Sequence, residues 1–204
     1  DIILDNTGSP LRMAYVATQN GDVVVTSNRG VDMVHVWALD AGVINPDDPS
    51  DLRPSSSGSG ISSLPDNNGI TGAIDDAHIV DVTVTGAGDV TLRDVWADYY
   101  VVVDLQGSGD IGVGAGGANT CGDIMLIAAQ GSIIDIENTD AIDLRACGNI
   151  TLWVGEQIGE PWDGDPLDVE AGGRVNVGAV GGAPLFGNNG DLIWAFLRGT
   201  SGDG

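Results

Sequence analysis

The chain contains no lysine, and glutamate is scarce. All seven basic residues are arginine, and only four of the 30 acidic residues are glutamate, which leaves 26 aspartates. Aspartate is unfavourable inside helices and common in turns. A chain of this composition is not expected to be mainly helical.

Long apolar segments are missing as well. No run approaches the roughly 18 apolar residues that a membrane-spanning helix needs, so no transmembrane segment is predicted. The chain does not open with a basic segment followed by an apolar stretch, and its first residue is Asp1. We therefore expect a processed chain, a fragment or one unit of something longer.

Positive charge is so scarce that the net charge is −23 over 204 residues. Nucleic acids and anionic lipids would approach through a field of their own sign, which makes them poor partners. The same charge attracts divalent cations, although solubility alone explains it equally well. Val, Ile and Leu alternate with polar residues throughout, which argues against disorder and favours one domain, 1–204.

What the sequence does contain is a repeated pattern. It consists of Gly, then Asp or another polar residue, then an apolar residue, any residue and a second apolar residue. Apolar residues two positions apart face one side of a strand, and the leading Gly-Asp tolerates positive φ at a corner. The seven copies are "GDVVV" at 21–25, "GDVTL" at 88–92, "GDIGV" at 109–113, "GDIML" at 122–126, "GNITL" at 148–152, "GRVNV" at 173–177 and "GDLIW" at 190–194.

The spacing of these copies predicts an all-β parallel solenoid. Several intervals are 21 to 26 residues, which suits one coil, and shorter intervals indicate that the pattern occurs on more than one strand per coil. An antiparallel β-sandwich is the competing fold, but two-residue hairpin turns are scarce. We expect roughly eight coils, a stack on the order of 40 Å long.

Residues 45–72 interrupt the pattern. This segment, "NPDDPSDLRPSSSGSGISSLPDNNGITG", holds four of the eight prolines and shows no apolar alternation. It predicts a Pro- and Ser-rich loop or arm inserted into the solenoid, either in contact with a neighbour or disordered.

The only two cysteines each precede a copy of the pattern. Cys121 and Cys147 are 26 residues apart, so they are predicted at the same position of successive coils. Neighbouring strands lie about 4.8 Å apart, which is within the Cα separation that a disulfide accepts. The lysine-free, Asp-rich and Gly-rich composition indicates an exported protein, so we expect a disulfide between Cys121 and Cys147, with buried free thiols as the alternative.

From about residue 109 onward the sequence resembles the repeats of filamentous-haemagglutinin-like giant bacterial surface proteins. The resemblance is carried by Gly131-Ser132-Ile133, Ile142 to Gly148, Ile158-Gly159, Pro166-Leu167-Asp168-Val169 and Gly172-Gly173. It implies an exported, right-handed parallel β-helix that acts in adhesion or surface architecture, outside the cell or at its surface. Host or cell-surface glycans are then possible partners.

A polysaccharide-cleaving β-helix enzyme is the alternative. "NTD" at Asn138–Asp140 and "DD" at Asp75–Asp76, with His78 nearby, resemble the carboxylate motifs of polygalacturonase-like hydrolases, and paired carboxylates are what glycosidic cleavage needs. The two motifs stand in the reverse of that family's order, and its Gly-His-Gly and Arg-Ile-Lys motifs are missing. We therefore predict no catalytic residues and a protein that works by contact.

Two groups of aspartates are candidate calcium ligands. One comprises Asp163, Asp165 and Asp168, and the other comprises Asp47, Asp48 and Asp51. Calcium takes six to eight oxygen ligands, so carbonyls and waters would complete either site. Ordinary Asx turns explain the same residues, and calcium is the only cofactor considered.

Tryptophan occurs in a repeated context. "VHVWALD" at 34–40 and "RDVWADYY" at 93–100 share Val-Trp-Ala, which predicts equivalent coil positions for Trp37 and Trp96. Aromatic stacks in solenoids usually fill or cap the core, and some form sugar-binding platforms. His35 alternates with two valines and is predicted on the solvent side.

The two ends of the sequence together recreate the repeated pattern. When Gly204 is placed before Asp1, Ile2, Ile3 and Leu4, they read as one more strand start. Open strand edges recruit other chains. We expect head-to-tail stacking into a filament, either as a non-covalent homopolymer or as tandem units of a giant chain.

Overall fold

The computed structural model describes residues 1–19, 21–39, 78–137, 139–160, 166–180, 195 and 197–201. Within these ranges every regular element is a β-strand. In chain order the strands are β1 (Ile2–Asn6), β2 (Leu11–Met13), β3 (Val16–Gln19), β4 (Val23–Ser27), β5 (Val31–Met33), β6 (Val36–Leu39), β7 (Ile79–Val84), β8 (Val90–Leu92), β9 (Val95–Ala97), β10 (Tyr100–Leu105), β11 (Ile111–Val113), β12 (Ala118–Thr120), β13 (Asp123–Ala128), β14 (Ile133–Asp135), β15 (Leu144–Ala146), β16 (Ile150–Val154), β17 (Leu167–Ala171), β18 (Val175–Ala179) and β19 (Leu197–Ser201).

The strands form three parallel sheets. Sheet A has the order β1-β4-β7-β10-β13-β16-β18, sheet B has β14-β11-β8-β5-β2, and sheet C has β19-β17-β15-β12-β9-β6-β3. The chain visits the sheets in the order A, B, C and then begins the next coil, which makes a parallel β-solenoid of about six turns. The predicted all-β parallel solenoid is confirmed, and the antiparallel sandwich is wrong.

The described residues form about six coils, fewer than the roughly eight expected for the full length of the chain. Val23 of β4 pairs directly with Val80 of β7, so these two strands are neighbours in sheet A although 57 positions separate the two residues in the sequence. The predicted arm, 45–72, lies outside the described residues.

The repeated pattern lies on two of the three sheets. Copies 21–25, 122–126, 148–152 and 173–177 contain strands of sheet A, whereas copies 88–92 and 109–113 contain strands of sheet B. The pattern therefore occurs at two different strand positions of the coil, but no described coil carries more than one copy, so the expected two copies per coil are not seen there. The short interval from 109 to 122 is a step from sheet B to the next strand of sheet A. Copy 190–194 lies outside the described residues.

The core is a set of stacked aliphatic columns inside the coils. Val80, Val101, Ile124 and Ile150 occupy successive strands of sheet A in register, and all four are fully buried. Full burial of one such side chain stabilises the fold by about 1.5–3 kcal/mol. Because the columns continue through the stack as one cluster, each coil depends on its neighbours for its core.

The aspartate of the repeated pattern joins one coil to the next. Asp110 Oδ1 accepts a hydrogen bond from the backbone N–H of Ser132, and Asp89 Oδ1 accepts one from that of Asp110. These side chains satisfy backbone donors at corners, where no strand partner is available. We call the set with such bonds the aspartate ladder, and its members are Asp1, Asp22, Asp89, Asp110, Asp123 and Asn149.

The glycine of the pattern has two different roles. Gly88 and Gly109, before strands of sheet B, have φ of 135° and 146°, a region that L side chains rarely adopt. Gly122, before sheet A, lacks positive φ, but a Cβ there would lie 1.7 Å from the Tyr99 carbonyl oxygen. The predicted corner role of positive φ therefore holds at sheet B, and close contact between coils requires the glycine at sheet A.

Candidate functional site

Aromatic side chains from three successive coils meet where sheet B passes to sheet C. Tyr15, His35 and Asp94 directly precede β3, β6 and β9, while Trp37 and Trp96 are the second residues of β6 and β9. The parallel register aligns Val16 with Val36 and Val36 with Val95, which brings the three corner residues together. We call these five residues, Tyr15, His35, Trp37, Asp94 and Trp96, the aromatic cluster.

The equivalence of the two tryptophans is confirmed, because Trp37 pairs with Trp96 in register. Both occupy the outward-facing position of their strands, between buried inward-facing neighbours such as Val36 and Ala38. They therefore lie on the outward-facing side of their strands, where Trp37 is half-buried and Trp96 is buried.

Asp94 holds the aromatic cluster together. Its Oδ2 accepts hydrogen bonds from His35 Nδ1 at 2.7 Å and Trp37 Nε1 at 3.2 Å, and its Oδ1 accepts one from Trp96 Nε1 at 2.7 Å. An indole N–H can only donate, so one carboxylate fixes both indole rings. The cluster is thus built by side-chain bonds in addition to strand register.

The rings stand edge to face. The Tyr15 and Trp37 centroids are 5.4 Å apart with an interplanar angle of 75°, and the His35 and Trp37 centroids are 6.0 Å apart at 67°. Tyr15 is 66% exposed and His35 is exposed, whereas Trp96 is buried. The outcome is a fixed aromatic surface with a carboxylate at its base.

Sequence reasoning singled out Trp37, Trp96 and a solvent-facing His35, and the last of these is confirmed by its exposure. It missed Asp94 and Tyr15. The signal was present, because "HVW" at 35–37 and "DVW" at 94–96 differ only in the residue that precedes Val-Trp. Aligning the two copies places an imidazole over a carboxylate.

The two cysteines are neighbours on adjacent coils, as predicted. Thr120 pairs with Ala146 in sheet C, and Cys121 and Cys147 follow these residues. Both are free thiols in the structure, and they share a side-chain hydrogen bond. That bond lowers the pKa of Cys147 to about 7 and raises the pKa of Cys121, to which burial adds. The disulfide stays a prediction.

Of the main candidate calcium ligands, the structure describes only Asp168. Its buried carboxylate accepts hydrogen bonds from Arg198, Nε to Oδ1 at 2.6 Å and Nη2 to Oδ2. Asp163, Asp165 and the second group, Asp47, Asp48 and Asp51, lie outside the described residues. In the part of the chain that is described, no three His, Cys, Asp or Glu side chains are grouped to hold a metal ion.

The hydrolase-like motifs are only partly described, since Asp75, Asp76 and Asn138 fall outside. His78 is buried directly before β7, at the corner between sheets C and A. Asp140 lies between β14 and β15, at the corner between sheets B and C, and its carboxylate is 2.8 Å from Arg198. The structure does not bring these two residues together.

The predicted polymer interface falls on the first strand. Ile2 and Leu4 pair with Val23 and Val25, the positions that the repeated pattern occupies in β4. Both are only partly buried, while Ile3 points outward and is 75% exposed. Gly204 lies outside the described residues.

Comparisons of the chain with known proteins found no match. No protein-family model matches it, and no curated protein or solved structure matches it at a significant level. The resemblance to filamentous-haemagglutinin-like proteins therefore rests on the residues quoted above, and the structure supports its parallel-solenoid fold alone. Among the described residues there is no helix long and apolar enough to cross a membrane.

Proposed function

We propose that the protein is a non-enzymatic structural and adhesive element, located outside the cell or at its surface, that works by contact. The observation that carries the proposal is the aromatic cluster on the outer surface of the solenoid. Asp94 and the strand register hold its rings in place, and aromatic rings with a polar group beside them are typical of contact surfaces.

The scaffold suits this role because it holds the surface rigidly. Residues of the cluster come from three coils, and each coil is fixed to the next by backbone pairing and by the aspartate ladder. The side chains therefore need little reordering when a partner binds, which lowers the entropic cost of contact.

The stack of coils continues past β1 in this proposal. Within the described residues β1 is the outermost strand of sheet A, and its inward-facing Ile2 and Leu4 are incompletely covered. Unpaired strand edges recruit further strands. A further coil, from a second copy of the chain or from a longer chain, stacks on β1 and covers these two side chains.

Adhesion is tested by coating beads with the purified protein and counting the beads that attach to immobilised cell walls and polysaccharides. We expect the double variant Tyr15→Ala/Trp37→Ala to lose most of the attachment. Trp153→Ala is the matched control, because Trp153 is 45% exposed but belongs to β16 of sheet A. Equal attachment of the cluster variant and the wild type would contradict the proposal.

Two further measurements complete the test. Electron microscopy of the purified protein should show thin fibres or end-to-end contacts that Ile2→Asp/Leu4→Asp abolishes, and compact single particles at all concentrations would contradict stacking.

Release of reducing ends from any polysaccharide in the same panel, lost in His78→Ala or Asp140→Asn, would favour the hydrolase instead.

A further inference from the structure

We propose that the aromatic cluster is a binding site for an organic ammonium cation, with a quaternary ammonium group as its best ligand. The inference rests on the proposed function, in which the cluster is a contact surface, and it assigns the chemistry of the ligand. Quaternary ammonium groups are recognised by aromatic faces whose quadrupole is negative.

The electrostatics of the cluster favour a cation. Asp94 brings a full negative charge to its base, and both indole N–H groups donate to that carboxylate. Donation to an anion shifts electron density into the ring system, which makes the indole faces more negative and strengthens their attraction for a cation.

The neighbouring guanidinium groups do not cancel this field. Arg93, next to Asp94 in the sequence, lies 3.1 Å from the Glu137 carboxylate and 3.9 Å from that of Asp32. Arg12 lies 3.3 Å from the Asp32 carboxylate. These guanidinium groups are paired with carboxylates, and the chain as a whole carries a net charge of −23, so the surrounding field attracts cations.

The hydrogen bonds of Asp94 distinguish an organic cation from other ligands. A carboxylate has about four lone-pair sites, and three of them accept the donors of His35, Trp37 and Trp96. Little acceptor capacity remains for the hydroxyl groups of a sugar, or for a metal ion that needs several oxygens. An ammonium group surrounded by methyl groups needs only charge and aromatic faces.

The arrangement of the rings agrees with this ligand. Trp37 meets Tyr15 and His35 at steep angles of 75° and 67°, so the exposed aromatic surface has faces in more than one direction. A compact, spherical cation can contact two such faces at once. A flat sugar ring stacks best on a single broad face.

The test is a titration of the full chain with choline, followed by two-dimensional NMR of the five tryptophan indole N–H signals. The matched neutral ligand is 3,3-dimethylbutan-1-ol, which has the shape of choline without its charge. We expect choline to move the Trp37 and Trp96 signals in a saturable manner, with millimolar affinity at least about tenfold tighter than that of the alcohol. The Trp153 signal should not move.

Two variants test the charge and the exposed ring. Asp94→Asn removes the charge and replaces one of the two acceptor oxygens by an amide N–H donor, and Tyr15→Leu replaces an exposed ring. Each should weaken choline binding at least about threefold, while Trp153→Ala leaves it unchanged. Circular dichroism of each variant verifies that the strands are retained.

Different results would contradict the choline site and the contact function. Equal binding of choline and the alcohol would overturn the inference in favour of a merely apolar surface. A neutral oligosaccharide that moves the same signals when choline does not would also overturn it. If choline fails to bind but bead attachment still depends on Tyr15 and Trp37, the inference is wrong and the proposed contact function stands. If choline binds and attachment is unaffected by the cluster variants, the inference stands and the contact function is wrong.

Discussion

The carboxylate of Asp123 accepts a hydrogen bond from the backbone N–H of Asn149, one coil further along the chain, at 2.6 Å. Asn149 repeats the arrangement, since its Oδ1 accepts the backbone N–H of Arg174 on the following coil at 3.0 Å. An amide oxygen therefore occupies the same position as a carboxylate and accepts the same bond. We expect the acceptor, and not the charge, to join the coils.

Removal of the acceptor from Asp123 should destabilise the protein. Asp123→Ala leaves the Asn149 N–H without its partner, which we expect to lower the free energy of unfolding by about 1–3 kcal/mol. Asp123→Asn should lose less than about 1 kcal/mol. Urea unfolding followed by circular dichroism measures both. Asp5→Ala, on the exposed face of β1, is the control and should change stability by less than about 0.5 kcal/mol. Equal losses in the Ala and Asn variants would show that charge is the important property.

The sequence predicted the coils well because two constraints of the solenoid are local. Alternation of apolar residues sets the inward face, and Gly-Asp marks the corner before a strand. Both are readable within five residues, as "GDIML" at 122–126 shows. The period then placed Cys121 beside Cys147, and the shared Val-Trp-Ala placed Trp37 beside Trp96.

The candidate site was less predictable because its contacts depend on which corner residues face each other. Asp94 is 59 residues from His35 along the chain, which is more than twice the 21 to 26 residues expected for one coil. The partner of Asp168 was missed for the same reason, since Arg198 is 30 residues away and reaches it only through the pairing of β17 with β19. Ion pairs between coils have no local sequence signature.

Close contact between coils predicts that Gly122 cannot be replaced. The Cβ of Gly122→Ala would lie 1.7 Å from the Tyr99 carbonyl oxygen, and both groups belong to backbone that the sheets hold in place. We expect a loss of at least about 2 kcal/mol in unfolding free energy. Gly8→Ala is the matched control, because the nearest atom to its Cβ is 3.9 Å away. A Gly122→Ala variant as stable as Gly8→Ala would contradict this account of the glycine.

The burial of Asp81 predicts an unusual pH dependence of the free energy of unfolding. Its outward-facing side chain on β7 is 8% exposed, and burial, followed by the charges of Asp104 and Asp22, raises its pKa above the ordinary value of 3.8. The folded state therefore binds this proton more tightly than the unfolded state. The charged carboxylate costs stability at neutral pH, and that cost disappears as pH falls through the raised pKa towards 3.8.

Asp81→Asn should consequently be more stable than the wild type at pH 7, with a difference that shrinks as the pH approaches 4. Urea midpoints of the two proteins, measured from pH 4 to pH 8, give this difference directly. The exposed variant Asp5→Asn controls for the general loss of one negative charge. A stability difference between Asp81→Asn and the wild type that is independent of pH would contradict the interpretation.

The hydrogen bond between the thiols predicts selective reactivity. Because it lowers the pKa of Cys147 to about 7, a large share of Cys147 is thiolate at neutral pH, while Cys121 stays protonated as the donor. Iodoacetamide should modify Cys147 first, with a rate whose midpoint lies near pH 7. Cys121→Ala removes the donor and should move that midpoint up towards the ordinary thiol value of 9.0. An unchanged midpoint in Cys121→Ala would show that the bond does not set the reactivity.

The same pair should close into a disulfide under mild oxidation. Cys121 and Cys147 follow residues that pair directly on adjacent parallel strands, about 4.8 Å apart, and a disulfide accepts Cα separations of 4.4–6.8 Å. The thiolate of Cys147 attacks the disulfide of oxidised glutathione and releases one glutathione thiol, and Cys121 then displaces the second glutathione to close the bridge. The bridge spans 26 residues and should stabilise the fold by about 3 kcal/mol through the unfolded state. Peptide mapping without reductant, after treatment with oxidised glutathione, should recover one cross-linked peptide. Recovery of both cysteines as free thiols or as separate glutathione adducts would refute the bridge, and oxidised protein no more resistant to urea than Cys121→Ser would refute its stabilising role.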